Sequence, residues 1–146
     1  MEGFVCKVCG FIAIDGKAPE NCPVCGAPKS AFTEKEDAIK TAGSSSVGET
    51  EKKHIPVIII ERKCGLIPDG CLDVNIKVGE ITHPMLPEHF IIHIDSYIDK
   101  NFISRVVFKP EKLNPATALH LKVKAGRLTV IATCNVHGSW LSEADL

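Results

Sequence analysis

The stretch Thr117-Ala118-Leu119-His120-Leu121-Lys122-Val123-Lys124-Ala125-Gly126-Arg127-Leu128-Thr129-Val130-Ile131-Ala132-Thr133-Cys134 decides the fold class. Leu119, Leu121 and Val123 alternate with His120, Lys122 and Lys124, a period of two that describes a half-buried strand with one wet face. Residues 127–134 form a second apolar, β-branched run. Between the two, Lys124-Ala125-Gly126-Arg127 predicts a tight hairpin, with Gly126 free to take a positive φ. Working outward, residues 56–62, 72–78, 90–98 and 102–109 read in the same way, rich in Ile and Val and separated by turn residues. Short strands at this spacing predict an all-β fold, an immunoglobulin-like antiparallel β-sandwich.

The last strand runs into Cys134-Asn135-Val136-His137-Gly138-Ser139-Trp140. A thiolate and an imidazole three residues apart on a tight loop can close on one metal ion. Upstream lie His54 in Lys-His-Ile-Pro, His83 in His-Pro-Met and His89 in Pro-Glu-His-Phe, outside the strand cores where ligands can converge. Pro84 and Pro87 bar a helix around His83 and His89 and fix an irregular loop. Four neutral imidazoles and one thiolate make a borderline-soft set suited to iron, copper or zinc. His93 and His120 fall inside strands and read as surface or packing residues. Cys64 and Cys71 flank the turn Gly65-Leu66-Ile67-Pro68-Asp69-Gly70 and read as free thiols.

Toward the N-terminus the pattern changes. Cys6-Lys7-Val8-Cys9-Gly10 and Cys22-Pro23-Val24-Cys25-Gly26 are two Cys-x2-Cys knuckles, each followed by glycine, and together place four thiolates round one tetrahedral ion, zinc or iron. About 35 residues bury too little surface to fold unaided, so the metal is expected to be a condition of folding there. Residues 33–40 have the composition for a turn or two of helix, and the small, polar run that follows reads as a linker. The expected organisation is a metal-knuckle domain over 1–39, a linker over 40–50 and the sandwich over 51–146.

Composition sets the remaining bounds. The 146 residues are 45% apolar with a formal charge of −1, a balance that offers no basic excess for nucleic acid. No apolar run approaches the ~18 residues of a membrane span. Seven cysteines behind an N-terminus with no leader pattern point to metal or redox chemistry in the cytoplasm rather than to a disulfide framework.

The knuckles, with Cys22-Pro23-Val24-Cys25-Gly26-Ala27-Pro28-Lys29-Ser30-Ala31-Phe32, resemble the short rubredoxin-like domain at the end of rubrerythrins. The resemblance implies a one-electron iron centre held by Cys6, Cys9, Cys22 and Cys25. The span between knuckles is shorter than in full-length rubredoxins, and the only aromatics within residues 1–37 are Phe4, Phe11 and Phe32.

Lys53-His54-Ile55-Pro56, His83-Pro84-Met85, Pro87-Glu88-His89-Phe90 and residues 134–140 resemble, in combination, the active-site domain of superoxide reductases, the family of neelaredoxin and desulfoferrodoxin. That resemblance implies a non-haem iron with His54, His83, His89 and His137 in an equatorial plane and Cys134 on the axis, leaving one position for superoxide. It implies one-electron reduction of superoxide to hydrogen peroxide, Lys53 at the pocket mouth, and an electron donor such as rubredoxin or an NAD(P)H-dependent reductase, with the rubredoxin-like iron as relay. Relatives in the family imply a homodimer or homotetramer. One departure stands out: the family commonly reads Glu-Lys-His-x-Pro, and here Lys52 precedes Lys53 while the acid, Glu51, sits one position early. In an extended chain Glu51 is expected on the face opposite the iron. Two other readings are a cupredoxin-like electron carrier, which lacks its methionine after His137 and leaves two histidines unexplained, and a zinc-stabilised interaction module.

Overall fold

The computed structural model describes residues 1–42 and 48–146. Strands β1 (Gly3–Cys6), β2 (Ile12–Ala13) and β3 (Phe32–Lys35) form a small antiparallel sheet in the order β2-β1-β3. Then come β4 (Lys40–Thr41), helix α1 (Glu49–His54), β5 (Pro56–Glu61), β6 (Leu72–Val78), β7 (Ile91–Ile98), β8 (Asn101–Val107), β9 (Ala116–Leu121), β10 (Arg127–Cys134) and β11 (Gly138–Asp145). They build a five-stranded sheet, β4-β11-β10-β7-β8, facing a three-stranded one, β5-β6-β9. The antiparallel sandwich is therefore present, with β4 joining β11 as the one parallel pair among the described residues.

Alternation explains the inner face. Leu72, Val74, Ile76 and Val78 of β6 are buried and meet Ile91, Ile94, Leu128, Val130, Ala132 and Cys134 from the larger sheet. Each such aliphatic side chain contributes about 1.5–3 kcal/mol of burial. The run Leu128–Ala132, however, is buried at every position, so β10 is covered on both faces. Its outer cover is the N-terminal unit: Ile131, Leu141 and Tyr97 share a second apolar cluster with Cys6, Phe11, Ile12, Cys22 and Ile39.

Polar contacts align that seam. The Tyr97 hydroxyl donates to the Ile12 carbonyl at 2.7 Å, and the Phe11 ring stacks on Tyr97 with centroids 6.0 Å apart. Arg105 grips buried Asp95 through Nε at 2.6 Å and Nη2 at 2.7 Å, and its Nη1 donates to the Cys9 carbonyl at 2.7 Å. His93, Asp95 and Tyr97 alternate along β7, which puts all three on the outer face.

Four expectations are corrected. Residues 124–127 are not a hairpin: β9 pairs β6 in one sheet and β10 pairs β7 and β11 in the other, so the segment crosses between sheets. Asp99 anchors the crossing, its Oδ1 accepting from the Arg127 amide at 2.9 Å, and Gly126 at φ 125 packs against that carboxylate. Residues 33–40 hold β3 and the start of β4 rather than helix. The linker expected over 40–50 is structured where it is described: Lys40–Thr41 pairs with Trp140–Leu141, and α1 opens at Glu49, while residues 43–47 lie outside the described residues. The segment before Pro56 is helical, not extended. Glu49 and Glu51 in its first turn and Lys52, Lys53 and His54 in its last complement the helix dipole, and Ile55 turns extended ahead of proline.

Candidate metal centres

The hairpin β10–β11 makes the first half of the larger centre. Cys134 pairs with Gly138, so Asn135, Val136 and His137 form a three-residue loop, and Gly138 takes φ 77 to close it. The Val136 and His137 amides both donate to Cys134 Sγ at 3.4 Å and hold the sulfur in place within the loop. The Asn135 side chain ties this loop to the next: its Oδ1 accepts from the Phe90 amide at 2.9 Å and its Nδ2 donates to the Glu88 carbonyl at 3.1 Å. His89 between them is thereby fixed.

His54 arrives from the last residue of α1 and His83 from the loop after β6. His54 Nδ1 lies 2.6 Å from the Thr50 carbonyl and His83 Nδ1 2.7 Å from the Pro84 carbonyl. A carbonyl only accepts, so both rings carry their proton on Nδ1 and present a bare Nε2. Those two Nε2 atoms face each other at 3.1 Å. Two lone pairs so placed repel unless a cation lies between them.

The four rings complete a square. Centroid separations are 4.6 Å for His54–His83, 4.6 Å for His83–His89, 4.9 Å for His89–His137 and 4.9 Å for His137–His54, with His54–His89 across the diagonal at 6.1 Å. His137 contributes Nδ1, 3.2 Å from His89 Nε2 and 3.9 Å from Cys134 Sγ. Donor atoms of His54, His89, Cys134 and His137 all fall within 4.8 Å of one another. Burial lowers the pKa of His54 and His89 and takes His83 down to about 4, so these imidazoles are neutral and ligand-ready at neutral pH. The donor set and its convergence fit a single non-haem iron.

The second centre sits in the N-terminal unit. Cys6 and Cys25 sulfurs are 3.7 Å apart, Cys9 and Cys22 sulfurs 3.6 Å apart, and all four lie within 4.8 Å. Metal–sulfur bonds of about 2.3 Å give a tetrahedron with edges of about 3.8 Å, so the thiols are spaced for one ion. Gly10 at φ 75 and Gly26 at φ 78 return their amides to the Cys6 and Cys22 carbonyls at 2.9 Å, two copies of one knuckle. Burial raises the Cys6 thiol, but the Cys9 and Val8 amides together with the Cys25 and Cys9 sulfurs bring it down to about 7, while burial pushes Cys9 up to about 12.

Residues 46–143 match the desulfoferrodoxin family and residues 4–33 the rubredoxin-like domain of rubrerythrin. The chain belongs to the desulfoferrodoxin family. It is 32% identical over 143 residues to a desulfoferrodoxin homolog of Archaeoglobus fulgidus, covering 97% of this chain and 96% of that one. It is 34% identical over 106 residues to a superoxide reductase of Pyrococcus horikoshii, covering 65% of this chain and 88% of the relative. Among solved structures, the superoxide reductase from Nanoarchaeum equitans matches with a TM-score of 0.56 at 32% identity, over 65% of this chain and 94% of its own.

Within this desulfoferrodoxin-family chain the candidate ligands lie in two sets, His54, His83, His89, Cys134 and His137 in one and Cys6, Cys9, Cys22 and Cys25 in the other. Lys53, the residue before His54 on α1, is half-buried with its Nζ 2.7 Å from Glu49, and its charge helps lower the pKa of His89. Glu51 is not turned away as expected: three residues before His54 on α1 it shares that residue's face, buried, with no hydrogen-bond partner for Oε2 among the described residues.

Two contributors were given no role from the sequence. Lys40, 97 residues before His137, donates to the His137 carbonyl at 2.8 Å and lies 5.1 Å from the Trp140 ring. Trp140 in turn donates to the same carbonyl at 3.1 Å and stacks on His54 at 5.1 Å. The Trp followed the Cys-x2-His motif and was visible as its neighbour, whereas nothing local marked Lys40. His120, read as a surface residue, and the thiols Cys64 and Cys71 also meet, at 3.4 and 3.5 Å.

Proposed function

We propose that the protein is a non-haem iron superoxide reductase. The reading is carried by the square of four imidazoles with the Cys134 sulfur beside it, and in particular by the bare Nε2 atoms of His54 and His83 facing at 3.1 Å. His54, His83, His89, His137 and Cys134 hold the catalytic iron; Cys6, Cys9, Cys22 and Cys25 hold a second. Superoxide needs one electron and two protons to become hydrogen peroxide. When bound, the iron supplies the electron, and a thiolate ligand favours its release to an oxygen substrate.

The protein side chains set the conditions for that step. Buried imidazoles stay neutral, so they ligate rather than repel a cation. Amides on Cys134 Sγ hold the thiolate and tune its donation. Lys53, next to His54 on α1, draws the superoxide anion inward, with Glu49 fixing its ammonium. The seam between the units supports a relay from the four-cysteine iron: Gly10 packs on His93, Arg105 holds the Cys9 carbonyl, and His93 pairs with Thr133, next to Cys134. An external donor such as rubredoxin or an NAD(P)H-dependent reductase then restores the relay. Thiol-rich metal sites suit the cytoplasm. The edge strand β8, with Ile103 and Val107 exposed, suits a homodimer or homotetramer.

Iron analysis with superoxide consumption tests this. Iron-replete protein should carry two irons per chain at these sets and consume superoxide without evolving oxygen. Cys134→Ser should abolish consumption and keep the four-thiolate absorbance. Cys9→Ser should lose that absorbance and still consume superoxide from a chemical reductant. Loss of activity in Cys9→Ser alone would reverse the assignment of roles.

A further inference from the structure

A third set of donors meets at the other end of the three-stranded sheet. β6 begins there and runs roughly 20 Å before reaching the His83 loop. Cys64 lies in the loop after β5, Cys71 immediately precedes β6, Asp73 is on β6, and His120 of β9 pairs directly across from Asp73. His120 Nδ1 is 2.7 Å from Asp73 Oδ1, 3.4 Å from Cys64 Sγ and 3.5 Å from Cys71 Sγ. Cys71 Sγ is 3.7 Å from Asp73 Oδ1, and the four donor atoms all lie within 4.8 Å of one another.

We propose that Cys64, Cys71, Asp73 and His120 bind a tetrahedral zinc ion that pins the β5–β6 loop to β9. The assignment is independent of the superoxide reading. Two thiolates, an imidazole and a carboxylate are the donor types zinc takes, and four protein ligands leave no open position, which makes the site structural. An ion pair between His120 and Asp73 accounts for those two residues alone. It gives no reason for both sulfurs to turn to the same nitrogen. A Cys64–Cys71 disulfide accounts for the sulfurs alone and leaves the other two idle.

The local backbone is shaped for ligation. The Ile67 amide donates to Cys64 Sγ at 3.3 Å, the same amide-to-sulfur contact that Val136 and His137 make to Cys134. Asp69 at φ 61 and Gly70 at φ 80 reverse the chain so that Cys71 returns beside Cys64. The ion would also secure the end of β9, where the chain leaves this sheet at Leu121 to cross to β10.

The test uses full-length protein with both iron sites filled and cobalt(II) as the probe, under reducing conditions. Wild type should take up one equivalent of cobalt, with tetrahedral ligand-field bands and a thiolate charge-transfer band, and zinc should displace it. Cys64→Ser and His120→Gln should each weaken cobalt binding at least roughly tenfold while both iron spectra stay unchanged. Zinc should also protect Cys64 and Cys71 from alkylation in the wild type. Absence of the cobalt bands in folded, iron-loaded wild type overturns the site, as does a Cys64–Cys71 disulfide in protein isolated without oxidant.

Discussion

Arg105→Met removes the guanidinium that joins the two units and leaves its apolar stem in place. In the wild type Arg105 meets both oxygens of Asp95, which is 2% exposed, and also holds the Cys9 carbonyl. Deleting one partner of a buried pair strands a desolvated charge, at about 3–5 kcal/mol. For a chain of this size each kcal/mol moves Tm by about 2–4 °C, so the fall should be roughly 6–20 °C. Because Ile131, Leu141 and Tyr97 share one apolar cluster with Phe11 and Ile12, the units should melt together. Far-ultraviolet circular dichroism and the four-thiolate absorbance should therefore trace the same transition in wild type. Asp95→Asn combined with Arg105→Met should recover at least half of the loss, since the stranded charge is gone. A Tm drop below about 3 °C for Arg105→Met, or well-separated transitions in wild type, would refute the account of a seam held by this pair.

Lys53→Ala should slow superoxide encounter roughly tenfold and flatten its ionic-strength dependence in pulse-radiolysis traces, whereas Glu49→Gln, which frees Lys53 from its 2.7 Å partner, should quicken it. A pH prediction rests on His93, held down to about 4 by burial although Asp95 Oδ2 lies 3.8 Å from its Nε2, which has no hydrogen-bond partner among the described residues. Its folded-state pKa lies below the unfolded 6.5, so the unfolded chain takes the proton first as pH falls. Stability is thus full above about 6.5 and lost toward pH 4, by up to about 3 kcal/mol. Denaturant midpoints of His93→Gln measured against pH should lack that part of the decline.

The sequence carried what depends on local chemistry. Alternation in residues 72–78 and 117–121 marked strands, because a strand shows its two faces in every second residue. The Cys-x2-Cys-Gly knuckles and the Cys-x2-His loop were legible because a metal set with one or two turns between ligands is itself a local object. Pairing was not legible. The same alternation suits a hairpin and a crossing between sheets, so only Asp99 at Arg127 and the neighbours of β10 decided that residues 124–127 change sheets. The continuous burial of Leu128–Ala132 was written in the chain, yet its cause, a second cover supplied by Phe11 and Ile12, is more than a hundred residues away. Distance also hid Lys40 at the His137 carbonyl and the meeting of Cys64, Cys71, Asp73 and His120. Each of those residues is ordinary in its own neighbourhood. Their proximity is fixed by strand order and register, free energies that belong to the packed sheets and to no single segment.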